Sequence, residues 1–141
     1  IIRFLPEAAR LCPRLKTAGG YDNVFEPVGP GLWAIDTDED GLCVFAFARN
    51  RKVLCSLHAV ALKLGIPLVS IKPKSCLLWP LASLEGRNEI LSIQGGALSF
   101  KCNSRRRTGA RRLSPALAES IEQVYGYAFR KRVERRIARR T

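Results

Sequence analysis

Cys43, Cys55, His58, Cys76 and Cys102 are soft-donor side chains spaced C-x11-C-x2-H-x17-C-x25-C along the 141-residue chain. Thiolate and imidazole together suit zinc or iron, whereas calcium or magnesium would call for oxygen ligands. Only the Cys55-x2-His58 pair has local ligand spacing: with a helix starting near Cys55, the two side chains fall on one face. The remaining donors lie far apart in sequence and meet only if several elements bring them to a common ion. Free cysteines are also among the most frequently buried side chains, and a helical histidine often serves packing alone. Spacing by itself therefore leaves metal binding and plain burial both open.

The elements that must position these residues are short. Pro6 to Leu15 reads as a brief helix limited by Pro13, and residues 19–31 as an irregular connection dense in turn formers. Leu32–Ile35 and Cys43–Ala48 read as strands of a hairpin joined by the acidic turn Asp36-Thr37-Asp38-Glu39-Asp40-Gly41. A helix is expected from Cys55–Ser56 to Gly65, with Pro67 beyond it. Pro73 and Pro80 place Cys76 on a stiff loop. Gly95-Gly96 signals a hairpin between residues 90–94 and 97–101, which would deliver Cys102 at a strand end. Ser114 and Pro115 open a long amphipathic helix through Leu117, Ile121, Val124, Tyr125, Ala128, Phe129, Val133 and Ile137.

Three segments carry a family likeness: Gly41-Leu42-Cys43-Val44-Phe45, Cys55-Ser56-Leu57-His58-Ala59-Val60-Ala61, and Lys72-Pro73-Lys74-Ser75-Cys76-Leu77-Leu78-Trp79-Pro80-Leu81. In that order they resemble the YkgJ-like cysteine-cluster family of zinc- or iron-chelating proteins, over roughly Pro6 to Cys102. The resemblance implies chelation through Cys43, Cys55, His58, Cys76 and Cys102, of a mononuclear ion or an iron-sulfur cluster, and implies no reaction. Members of that family begin with a further cysteine group that is absent here, so the chain reads as an N-terminally truncated piece. Cys12 matches none of the family's ligand positions and is expected to be a packing residue.

The sequence thus predicts a small single α+β domain. Short β-hairpins and helices surround a Cys/His metal site over residues 1–104, and residues 105–141 form a basic, mostly helical extension. Five cysteines without a secretory signal favour a cytoplasmic setting over a disulfide framework. No apolar run approaches the roughly 18 residues of a membrane-spanning helix.

The net charge of +12 is uneven. Residues 1–100 hold 11 Lys/Arg against 9 Asp/Glu, and residues 101–141 hold 13 against 3. Arg105, Arg106, Arg107, Arg111, Arg112, Arg135 and Arg136 are candidates for phosphate contacts with nucleic acid, or for an acidic protein partner. A solvated helix face explains the same arginines more plainly. Two decoys are set aside. Asp36-x-Asp38-x-Asp40-Gly41 opens like a calcium loop but has Phe47 where the bidentate glutamate belongs, so it reads as a solvated acidic turn. A Cys/His nucleophile pair would have to use His58, and no residue pattern selects that arrangement over chelation.

Overall fold

A computed structural model of the chain describes residues 1–15, 21–84, 90–99 and 112–139. The fold is α+β, built from helices and small antiparallel strand pairs. It divides into two compact units, Ile1–Lys72 and Pro73–Thr141.

The first unit opens with a short helix, α1 (Leu5–Ala9). Leu5, Ala8, Cys12 and Leu15 recur at intervals of three and four residues, and all are buried. Pro13 stops the helical pattern from continuing. Strands β1 (Phe25–Gly29) and β2 (Leu32–Ile35) pair antiparallel with Phe25 opposite Ile35. Gly31 takes the left-handed φ of 69° that lets the chain reverse between them. Strands β3 (Ala46–Arg49) and β4 (Lys52–Cys55) form a second hairpin, with Ala46 opposite Cys55. Its two turn residues, Asn50 and Arg51, both have positive φ (51° and 61°), the twist that suits a two-residue hairpin.

Helix α2 (Ser56–Leu64) follows β4 directly. Leu57, Val60 and Ala61 form its buried face, and it stops at Gly65 in the left-handed conformation. The N–H of Ile66 then reaches back to the carbonyl of Ala61 at 3.1 Å, satisfying one of the last-turn carbonyls. Phe45, Val44, Val24 and Ile71 complete the core beneath α1 and α2.

In the second unit, α3 (Lys74–Leu78) buries Leu77 and Leu78. The cis Trp79–Pro80 bond leads into β5 (Leu81–Leu84), which pairs antiparallel with β6 (Ile90–Ile93). Helix α4 (Pro115–Tyr125) starts as expected: Ser114 Oγ accepts from Leu117 N at 3.4 Å and Pro115 occupies the first turn. Gly126, at φ 82° and ψ 165°, then separates it from α5 (Tyr127–Arg139).

Several sequence expectations need correction. β2 pairs with β1 and not with the Cys43–Ala48 segment, which touches it only near a single bridge between Thr37 and Cys43. A turn closed by Ala46 N–H to Cys43 O at 2.8 Å redirects the chain, and Ala46–Arg49 pairs with β4 instead. Gly95–Ser99 is a 3-10 turn rather than part of a hairpin, since β6 finds its partner upstream in β5. The expected strand at 97–101 is overturned over 97–99, while residues 100–101 and Cys102 lie outside the described residues. Cys76 sits within the one-and-a-half turns of α3 and not on a loop. The long C-terminal helix is two helices, because Gly126 breaks it.

Candidate metal centre

Cys55 ends β4 and is the residue from which α2 springs, with an extended backbone (φ −105°, ψ 124°). Its place is fixed from two sides: Ala46 pairs across from it, and the next N–H, that of Ser56, donates to Phe45 O at 2.8 Å. His58 follows in the first turn of α2, so strand and helix together set the two donors three residues apart at one helix start. Both are half-buried. Burial, and after it the positive charge of Lys72, push the His58 imidazole below its ordinary pKa. Near neutral pH the ring is therefore mostly neutral, the protonation state that ligates a metal.

Ser56, between the two donors, is fully buried, and its hydroxyl has no hydrogen-bond partner among the described residues. A buried hydroxyl left unpaired costs roughly 1–3 kcal/mol. Thiol, hydroxyl and imidazole thus follow one another in sequence at the β4–α2 junction, the first and last being of the types that can ligate zinc or iron.

The other predicted ligands are distributed as follows. Cys43 is half-buried in the same unit, at the head of the turn that leads into β3. Cys76 is exposed on α3 in the second unit. None of Cys12, Cys43, Cys55 and Cys76 is in a disulfide. Among the described residues no group of three or more His, Cys, Asp or Glu side chains is placed to hold a metal ion. Cys55 and His58 stand three residues apart at the β4–α2 junction, and among the described residues no third donor completes a metal-holding group with them.

No family model, curated protein or solved structure matches the chain. The geometry must speak for itself. Cys12 is fully buried, and its thiol donates to the carbonyls of Val44 (3.0 Å) and Ala46 (3.1 Å), as a packing residue would. The acidic turn closes on itself: Asp38 Oδ1 accepts from Asp40 N (3.1 Å) and Leu42 N (2.8 Å), and its other oxygen pairs with Arg14. A strand precedes that turn and a bridge closes it, so it lacks the two helices of a calcium-binding hand.

Two features escaped the sequence. Lys72 acts on His58, a partner invisible until the chain after α2 folds back through Ile71 into the core. Lys74 places its ammonium 4.6 Å from the centre of the Tyr125 ring, tying α3 to α4. Of the arginines singled out for phosphate contact, Arg112, Arg135 and Arg136 are exposed. Arg105, Arg106, Arg107 and Arg111 lie outside the described residues. No helix among the described residues is long and apolar enough to cross a membrane.

Proposed function

We propose that this chain is a metal-binding protein that chelates zinc or iron, as a single ion or an iron-sulfur cluster, with Cys55 and His58 as its anchoring pair. The observation that carries this reading is the pair itself: a half-buried thiol and an imidazole held neutral, set three residues apart at the β4–α2 junction beside an orphaned buried hydroxyl. The likeness of three sequence segments to a chelating family supports Cys43, Cys76 and Cys102 as further donors. The bound metal would supply a cross-link between elements and, in the case of iron, a one-electron couple. Cys55 would release its proton on binding, and His58 would bind through its neutral ring.

The test is to express the full chain without added metal and measure its elemental content and visible spectrum, alongside Cys55→Ser and Cys76→Ser. A zinc protein is colourless and an iron-sulfur protein brown. Both substitutions are expected to lower metal content well below one equivalent per chain. Undiminished metal in both variants would reject these ligands.

A further inference from the structure

The second unit carries a feature that the metal reading does not use. Arg132, Arg135, Arg136 and Arg139 of α5 are all exposed. Their spacings of three, four and seven residues put them on one side of the helix, along roughly 10 Å of its axis. We infer that this side of α5 is a phosphate-binding stripe for the backbone of a nucleic acid.

The nearby carboxylates are committed elsewhere. Arg130 pairs with Glu122 across the Gly126 break (2.6 Å) and with Glu134 one turn on (2.6 Å), while Lys131 pairs with Glu134 at 3.1 Å. The Lys131 hydrogen bond, joined by that of Arg130, holds the Glu134 carboxyl below its ordinary pKa, so it remains an anion for those two cations. Arg132, Arg135 and Arg136 have no carboxylate in ion-pair reach among the described residues. Arg132 instead lies 5.3 Å from the Phe129 ring centre, and Arg135 Nε donates to Lys131 O at 3.4 Å. Both side chains are thereby steadied along the helix while their positive charge is left uncompensated.

Charge complementarity selects a polyanion. Residues 101–141 carry 13 Lys/Arg against 3 Asp/Glu, and all the cations but Lys101 and Lys131 are arginine. Guanidinium matches phosphate with a planar, two-pronged fork that an ammonium lacks. Measured along a duplex axis, roughly 10 Å covers the rise of about three phosphates of one strand. An anionic membrane fits less well, because a helix lying in the interface needs an exposed apolar side, and Phe129, Val133 and Ile137 are half-buried. Binding through phosphates predicts little dependence on base sequence.

The test is fluorescence anisotropy of a labelled DNA duplex of about 24 base pairs and mixed sequence. The full chain is compared with the quadruple variant Arg132→Gln/Arg135→Gln/Arg136→Gln/Arg139→Gln between about 50 and 200 mM salt. The full chain is expected to bind with strong salt dependence. The variant should lose at least about tenfold in affinity, and its log–log salt slope should be shallower by roughly 3 to 4. If circular dichroism shows that the variant has lost helix, Arg136→Gln alone carries the test, since that side chain makes no hydrogen bond or ion pair among the described residues. Its slope should be shallower by about one. Absence of duplex binding by the full chain, an unchanged slope in the folded variants, or capture by phosphatidylserine vesicles without duplex binding would each overturn the inference.

Discussion

Within Ile1–Lys72, order comes from burial: Leu5, Ala8, Cys12, Leu15, Val24, Val44, Phe45, Leu57, Val60, Ala61 and Ile71 form one apolar cluster. Across α4 and α5, by contrast, Ile121 is the single fully buried residue, and the two helices are joined by the Arg130–Glu122 ion pair and the Tyr125–Phe129 ring contact at 4.6 Å. The first region fixes its chemistry-bearing residues at the margin of a packed interior, where a thiol and an imidazole can be held in register. The second leaves its chemistry on the outside, as uncompensated positive charge. Residue type alone does not make that distinction. Cys12 and Cys55 are chemically identical, yet one faces two backbone carbonyls in the core and the other stands half-buried at a helix start.

The largest effect expected from this contrast is at Phe45, which is 1% exposed. Phe45→Ala should destabilise the first unit by about 3–5 kcal/mol, measured by chemical denaturation, while the α4–α5 helical signal persists to higher denaturant. Simultaneous loss of both would dissolve the contrast. Next is Gly126→Ala. At φ 82° and ψ 165° a side chain costs about 1–3 kcal/mol, although there is open space around the position. Thermal melts should show this loss, and an unchanged melting temperature would mean that the break is not held by backbone conformation.

A smaller pair of effects separates the two cysteines. Cys12→Ala should cost about 1–2 kcal/mol, whereas Cys55→Ala in metal-free protein, at a side chain only half-buried against the core, should cost less, under about 1 kcal/mol. Equal costs would remove the distinction between a packing thiol and an available one. The smallest effect is at His58, the chain's sole histidine. Because its pKa is lowered on folding, the unfolded chain takes up the proton first. Its share of stability is therefore complete above the ordinary histidine value and declines as pH falls through that value toward the folded one. NMR titration of metal-free protein should place its midpoint below about 6.5. Lys72→Gln should raise that midpoint by part of the shift, since burial is the larger cause.

Much of the scaffold was legible where local chemistry and packing agree. The start of α2 at Cys55–Ser56 and its stop at Gly65 follow from apolar spacing and a left-handed cap, and the start of α4 follows from Ser114–Pro115. Failures occurred where one local signal hid another. β1 lies inside a stretch whose glycines and prolines read as turns. Arg51 is an uncommon residue at a left-handed position, so the β3–β4 hairpin gave no turn signature. The acidic segment looked like a hairpin turn because its alternative, Asp38 closing the loop on its own backbone, is a side-chain choice that charge alone does not reveal. Gly126 went unread because apolar spacing runs on through Tyr125, Ala128 and Phe129 as if the helix were continuous. The separation of Cys55 and His58 at the start of α2 was legible because only the boundary between β4 and α2 sets it. Cys43 and Cys76 depend on longer-range placement that spacing does not encode.

The proposed metal-binding role requires Cys55 and His58 to hold the same ion. Zinc or ferrous iron should be titrated anaerobically into metal-free full chain while following alkylation of Cys55 by peptide mass mapping and the His58 imidazole by NMR. Stoichiometric metal is expected to shield Cys55 from alkylation and to abolish the acid titration of His58 down to the pH at which metal is released. A Cys55 that stays equally reactive, with a His58 that titrates as before, would rule out a shared ion.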